Sequence, residues 1–342
     1  AIEFRDLKGI IYNSAKQYAQ NIAFTIKHKN DKDITYENIT FKKLLQDINS
    51  FGTKLYEMGL KGKRIAIVGR NRYEWVVAHL ANLLGGMVSV PLDKELQVDE
   101  LESCLERSKA DVVVFDEKYI ENIEEIKKRG NTKLQKYICM SEQEGYEDFW
   151  ELKKQGEKLL KQGQREYTKA KIDEDKMAIL LFTSGTTSKS KAVMLSHKNI
   201  MFNIKHQNMM IDIKPEDIFL SFLPLHHVYE CVCGFLTPIY NGSAVAYCEG
   251  LRYIQDNMKE AHASIFLAVP LVFEKMYKKI WAGIEKQGKT DLVKTMVKLT
   301  NGLEKVGIHV KRKIFKDIHD QFGGKVRLYV LKQKTQGYRN VS

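Results

Sequence analysis

The chain has 342 residues, of which 44% are hydrophobic and 29% charged, and a formal net charge of +12. That length allows a large core and more than one layered unit, and no low-complexity tract or run of about 20 apolar residues suggests a disordered or membrane-spanning chain. The charged start, Ala1 to Asp6, lacks the apolar core of a signal peptide, and five scattered cysteines form no disulfide framework, which points to a reducing cytoplasm.

Leu7, Ile10, Ile11, Ala15 and Tyr18 fall at helical spacing, so a helix is expected over 7–19. Residues 34–36 and 37–40 read as two short strands around a turn. Thr40 then caps a helix from Phe41 to about Met58, with Leu44, Leu45, Ile48, Phe51 and Leu55 on one face. A βαβ unit follows: strand 64–69, helix 71–84 ended by Gly85-Gly86, and strand 87–90 stopped by Pro91. His79 falls inside that helix and reads as a packed histidine. Helix 99–108, strand 111–115 and strand 137–140 continue the pattern, and 149–170 is a lysine-rich helical stretch. Strands alternating with helices imply a mostly parallel sheet.

The most informative stretch is Leu180 to His197. The apolar run Ala178 to Phe182 has the length of a buried strand. It opens into Thr183, Ser184, Gly185, Thr186, Thr187, Ser188, Lys189, Ser190 and Lys191. A second short strand, 192–195, follows, and Ser196 N-caps a helix starting near His197. Hydroxyls, backbone N–H groups and lysines in one loop suit a polyphosphate. The spacing is not that of a P-loop, which needs G-x-x-x-x-G-K-[ST]. Ser190 stands at the second glycine position and Ala192 follows Lys191. An ordinary polar hairpin is the bland alternative.

Beyond the loop, strand 218–223 ends at Pro224, and helix 228–240, strand 243–247, helix 252–262 and strand 264–269 form a second alternating series. Pro270 is placed to start helix 271–281. Lysine-rich helices fill 291–321, and Gly323-Gly324 turns into strand 325–330. His226 and His227 sit where a strand gives way to a helix, and in open α/β sheets ligands bind outside the carboxyl ends of strands. A zinc reading from His226, His227, Cys231 and Cys233 lacks the second Cys/His pair of a familiar site. The cysteines read better as small apolar packing groups.

Three motifs, in order, resemble those of the adenylate-forming (AMP-binding) superfamily. The loop T-S-G-T-T-S-K-S-K-A resembles [ST]-S-G-[ST]-T-G-x-P-K-G, with Ser188, Ser190 and Ala192 in place of glycine, proline and glycine. Leu223, Pro224, His227 and Glu230 match L-P-x-x-H-x-x-E. Gln336-Gly337-Tyr338 resembles the start of Q-G-Y-G-x-T-E, whose later glycine, threonine and glutamate are absent. The texture is closest to the N-terminal part of long-chain acyl-CoA synthetases.

The resemblance implies an α/β fold of two packed subdomains with mostly parallel sheets flanked by helices. One would span about residues 60–200, the other 1–59 with 201–342, and the family's C-terminal lobe has no counterpart. It implies ATP, Mg²⁺ and CoA as reactants, a carboxylic acid (a fatty acid by texture) as substrate, and an acyl-AMP intermediate on the way to the thioester. Thr183, Ser184, Gly185, Thr186, Thr187, Ser188, Lys189 and Lys191 would hold the phosphates, and Gln336, Gly337 and Tyr338 the adenine. Thr183 would reach Mg²⁺. His227 would orient the carboxylate or gate the thiol, with His226 a surface or capping residue. Between a strand like 324–330 and Q-G-Y the family has a glycine- and alanine-rich loop and a helix. Here only Leu331 to Tyr338 intervene, so residues are expected to be missing after Val330. The alternatives are an adenylation domain that loads a carrier protein or activates an aryl or amino acid, and a non-catalytic nucleotide- or acyl-binding protein. The basic balance suits anionic substrates and is compatible with peripheral contact to anionic membrane. Without an RNA-binding signature or zinc-finger spacing, nucleic acid is not expected.

Overall fold

Local sequence signals set most element boundaries. Asp6 accepts from the Gly9 N–H to start α1 (Leu7–Gln17), and Thr40 accepts from Lys43 to start α2 (Phe41–Glu57). Between them lie β1 (Ile22–Lys29) and β2 (Ile34–Thr40). Then come β3 (Arg64–Val68), α3 (Tyr73–Leu84), β4 (Val88–Leu92), α4 (Val98–Ser108), β5 (Val112–Phe115), α5 (Ile120–Arg129), β6 (Lys136–Cys139), β7 (Glu147–Asp148) and α6 (Phe149–Lys161). The chain continues through β8 (Met177–Thr183), β9 (Lys191–Ser196), α7 (His197–Met210), β10 (Ile218–Ser221), α8 (Thr237–Asn241), β11 (Ala244–Tyr247), α9 (Ile254–Ala261) and β12 (Ile265–Ala268). It ends with α10 (Pro270–Lys286), α11 (Thr290–Lys305), α12 (Lys316–Asp320) and β13 (Leu328–Leu331). This computed structural model describes residues 4–29, 33–183, 190–305, 316–320 and 322–331. None of its described helices is long and apolar enough to cross a membrane.

The chain divides into two compact units. The first comprises residues 1–216 and 224–245. Its seven-stranded sheet has the order β7-β6-β5-β3-β4-β8-β9, parallel except for β9, which runs antiparallel to β8. Strands β3 and β5 are apolar at nearly every position because both faces are covered. Helix α3 is buried on all sides, from Trp75 through Leu84, as its continuous apolar sequence requires. Helices α2 and α6 approach closely: a Cβ at Gly156 would lie 1.7 Å from the Ser50 carbonyl oxygen. The rings of Phe51 and Phe149 meet beside that contact at 4.4 Å. Helix α1 packs on α2, where Tyr12 donates to Asn49 Oδ1 at 2.9 Å, and is also tied to distant parts of the chain. The Leu7 N–H donates to His197 Nδ1 at 3.2 Å across 190 residues, and Lys8 Nζ donates to the Ala170 carbonyl at 2.6 Å.

The second unit comprises residues 217–223 and 246–342. Strand β12 is buried throughout and pairs in parallel with β10 and β13. Leu220, Ala246, Ile254, Met258, Phe266 and Val272 are part of its core. Asp217 anchors the strand starts, accepting from Ser264 Oγ at 2.7 Å and from Arg327 Nε at 2.7 Å.

Several elements differ from expectation. Residues 34–40 are one strand, paired antiparallel with β1, an element the sequence hid because Ile22 to Lys29 does not alternate cleanly. Pro91 lies inside β4, opposite Ile67 of β3. The pairing of β4 with β8 is confined to Ser89↔Ile179, which leaves room for a residue without an N–H. The lysine-rich helix stops at Lys161 rather than 170. Gly163 turns at φ +97 and Arg165 donates to the carbonyls of Leu160 and Gln164. Helix α5 is an element additional to those expected.

Candidate functional site

The apolar residues of β8, Ala178 to Leu181, are buried, while Thr183 at its end reaches solvent. Strand β9 returns with Thr183↔Lys191 as the last pair, and Thr183 Oγ1 lies 3.5 Å from the Lys191 carbonyl oxygen. Thr183 and Lys191 therefore close the base of the hairpin, with Lys191 exposed. Ser184 to Lys189 lie outside the described residues, as do Gln336, Gly337 and Tyr338.

Helix α4 pins that base. Arg107 donates through Nη1 to Ser190 Oγ at 3.2 Å and through Nη2 to the Ser190 carbonyl at 2.7 Å. Its guanidinium also lies 5.1 Å from the centre of the Phe182 ring, so one side chain grips both arms of the hairpin. Burial raises the pKa of the nearby Cys104 thiol, which also bonds Ser190. In the sequence Arg107 is simply a cation in the last turn of a helix, and nothing local links it to a loop 83 residues away.

The histidine segment is fixed to the carboxyl ends of the two neighbouring strands. After β3, Asn71 Oδ1 accepts from the Leu225 N–H at 3.1 Å. After β4, Asp93 Oδ2 lies 3.6 Å from His226 Nε2. The His226 and His227 rings are 4.4 Å apart and inclined by 34°. His227 is exposed, and its N–H donates to the Pro224 carbonyl at 3.1 Å. His226 is not a surface residue: its side chain is only 10% exposed. Burial lowers its pKa to about 4, opposed by Asp93 and reinforced by His227 and Lys94. The ring is neutral near pH 7.

The helix expected over 228–240 forms with a wider turn, a π-helix from Glu230 to Leu236 that runs into α8. Such turns recur at functional sites. Glu230 is buried, and a Cβ at Gly234 would lie 2.5 Å from its carboxylate, so the glycine makes room for the acid. Cys231 faces His79, with Sγ 3.5 Å from Nε2, and Cys233 Sγ accepts from Gln207. Burial lifts the Cys231 thiol to a pKa of about 12, the state of a packing group. His79 is packed, as expected, with Nδ1 2.8 Å from Ser89 Oγ. Among the described residues no group of three or more His, Cys, Asp or Glu side chains could hold a metal. Oxygen donors such as the Thr183 hydroxyl suit Mg²⁺, which keeps waters and takes its other ligands from phosphate.

The structure thus brings together Thr183, Ser190, Lys191 and Arg107 at the end of β8, and Asn71, Asp93, His226 and His227 at the ends of β3 and β4. These three strands are adjacent in the sheet. Hydroxyls and cations that suit a polyphosphate sit in the same row of strand ends as a pair of imidazoles, the buried one, His226, neutral.

The family described as AMP-binding enzyme matches residues 11–329. Long-chain-fatty-acid–CoA ligase 1 of Cavia porcellus is 28% identical over 324 residues, covering 87% of this chain and 46% of the relative. The chloroplastic long-chain-fatty-acid–[acyl-carrier-protein] ligase AEE15 of Arabidopsis thaliana is 26% identical over 320 residues, 87% and 43% of the two chains. The chain spans about half the length of the curated relatives it matches. Among solved structures, the anthranilate CoA ligase AuaEII with anthranoyl-AMP superposes with a TM-score of 0.68 at 19% identity, over 78% of this chain and 50% of that one. The N-terminal domain of FACL13 from Mycobacterium tuberculosis gives 0.68 at 19%, over 80% and 65%. At such identities these likenesses establish the fold.

Proposed function

The chain belongs to the AMP-binding enzyme family, and from that premise we propose that it is the nucleotide-activating part of an AMP-forming acid–thiol ligase whose acid is a fatty acid. The reading includes the family's partition, about 60–200 in one subdomain and 1–59 with 201–342 in the other. The observation that supports it is the row of strand ends: a hydroxyl- and lysine-bearing loop after β8 beside a histidine segment tied to the ends of β3 and β4. The likeness to long-chain-fatty-acid–CoA ligases favours the fatty acid.

In this reading a carboxylate oxygen of the acid attacks the α-phosphorus of ATP and pyrophosphate leaves. The thiol of CoA then attacks the acyl carbon and AMP leaves. The protein's task is mainly to position reactants and neutralise phosphate charge. Lys191, with Lys189, supplies charge to the phosphates, and Ser184, Thr186 and Thr187 supply hydroxyl donors. Arg107 holds the loop base in register without reaching the nucleotide. Thr183 Oγ1 is the protein oxygen that would reach Mg²⁺, which screens the triphosphate. His227 orients the substrate carboxylate, and His226, neutral and backed by Asp93, adds no charge beside it. Five thiols free of disulfides fit a cytoplasmic enzyme.

The test is acid-dependent ATP–pyrophosphate exchange by the complete polypeptide across a panel of fatty, aryl and amino acids. Exchange with long-chain acids is the expected result, and nucleotide binding without exchange for any acid would reject the reading. A carrier-protein thiol is the second acceptor to test, because the Arabidopsis relative is named as an acyl-carrier-protein ligase. Free CoA and a carrier protein offered side by side separate the two.

A further inference from the structure

Helix α10 carries two adjacent stripes. Val272, Met276 and Ile280 recur every four residues, with Gly283 a turn further on, and Lys275 and Lys279 run beside them at the same spacing. Met276 and Ile280 pack against the core of the second unit. Facing them is the segment that leaves β11, Glu249 to Gln255, and Phe322 lies at one end. Except for Val272, these residues line an open-mouthed cavity of about 810 Å³, within the range of about 300–1,000 Å³ usual for small-molecule sites. None of its lining residues belongs to the site at the strand ends of the first unit.

The chemistry of the lining is asymmetric. Leu251, Tyr253, Ile254, Met276, Ile280 and Phe322 make an apolar trough. Arg252, Lys275 and Lys279 stand on its rim. The wall's one carboxylate, Glu249, accepts from Asn257 Nδ2 at 2.8 Å. Arg252 lies over the Tyr253 ring at 4.7 Å. Among the described residues no ion pair engages Arg252, Lys275 or Lys279. An uncharged apolar ligand would leave three cations unused, and a compact anion would leave the trough unfilled.

We propose that this cavity binds a single-chain amphiphile with an anionic head, its chain along the trough and its head among Arg252, Lys275 and Lys279. Long-chain carboxylates and their CoA thioesters share that chemistry. The site is separate from the adenylation site, so it stands or falls independently of the activity proposed above.

The experiment is calorimetric titration of the complete polypeptide with decanoate, decanoyl-CoA and uncharged 1-decanol. A sulfamoyl-adenosine mimic of the acyl-adenylate is present throughout at one equivalent of the protein, so that it occupies the adenylation site and little is left free to compete for the cavity. Two variants probe the two halves of the cavity. Gly283→Phe fills it, and a Cβ at Gly283 meets no atom within 4 Å, so the ring enters open space. Lys275→Glu/Lys279→Glu reverses the rim charge. The expected result is one decanoyl-anion site in the natural protein, weakened tenfold or more in each variant, with 1-decanol binding at least tenfold more weakly than the better anion. Tighter binding of decanoate or of decanoyl-CoA assigns the source. No anion binding in the presence of the mimic, unchanged affinity in either variant, or equally tight 1-decanol would overturn the proposal. Pyrophosphate exchange, measured in parallel, reports on the adenylation reading alone.

Discussion

Lys191 and Arg107 serve the same loop by different means, and substitution separates them. Lys191 is exposed at the loop's foot, and in the proposed reading its ammonium meets a phosphate. A hydrogen bond to a charged group is worth about 1.5–3 kcal/mol, so Lys191→Ala should raise the KM for ATP about 10- to 100-fold in pyrophosphate exchange. Unchanged nucleotide affinity would count against the loop assignment. Arg107 is spent on Ser190 and Phe182; Arg107→Ala should raise the same KM by a smaller factor, about 3- to 10-fold, by loosening the loop base. The buried histidines set an acid limit. His79 and His226 are held neutral, their pKa values pushed down from 6.5 to about 3 and about 4 by burial, and His197 likewise to about 4. The unfolded chain binds these protons first, so their contribution is intact above pH 6.5 and is lost as pH falls from there towards 4 and 3. Each adds a slope of about 1.4 kcal/mol per pH unit. Urea unfolding at pH 7 and pH 5 should therefore show a stability loss about 2 kcal/mol smaller in His79→Gln than in the natural protein. Equal losses would mean that His79 is not the buried neutral group described.

At the level of elements, the contact between α2 and α6 depends on a missing side chain. A Cβ at Gly156 would sit 1.7 Å from a backbone oxygen, which cannot swing aside as a side chain can. Gly156→Ala should cost about 1–3 kcal/mol, or more if α6 is forced off α2, read as a lower urea midpoint. An unchanged midpoint would show that the two helices part easily. The boundaries most legible in the sequence are those with a local cause. Thr40 and Ser196 announce their helices because a cap is made within three residues. The buried strands β3, β5 and β8 announce themselves by unbroken apolar runs. What stayed hidden has a distant cause. Strand β1 is defined by pairing with β2, and Pro91 is tolerated because of where β8 stops pairing. The π-turn at Glu230 follows from fitting a buried carboxylate against Gly234. The same division runs through the site. Motif residues such as Thr183, Lys191 and His227 can be picked out from sequence. Arg107, Asn71 and Asp93 hold their neighbours Ser190, Leu225 and His226 over 83, 154 and 133 residues of chain respectively, and no local pattern marks them.

At the scale of the whole chain, a net charge of +12 and the polyanionic substrate proposed above predict that association depends on salt. The KM for ATP should rise as ionic strength is increased from low salt to about 0.15 M, where charges further apart than about 8 Å are screened. A flat response would confine the electrostatics to direct contacts. The docking of α1 has a further consequence, for synthesis on the ribosome. Its partners, the Ala170 carbonyl and the His197 ring, are made long after it. At about 5–20 residues per second, the 190 residues between Leu7 and His197 take about 10–40 s to appear. Helix α2, whose Asn49 accepts from Tyr12 of α1, is made early, but the Leu7 N–H and the Lys8 ammonium wait out that interval for their partners. Helix α1 therefore gains its complete set of native bonds only after a stretch of chain 190 residues further on has been made.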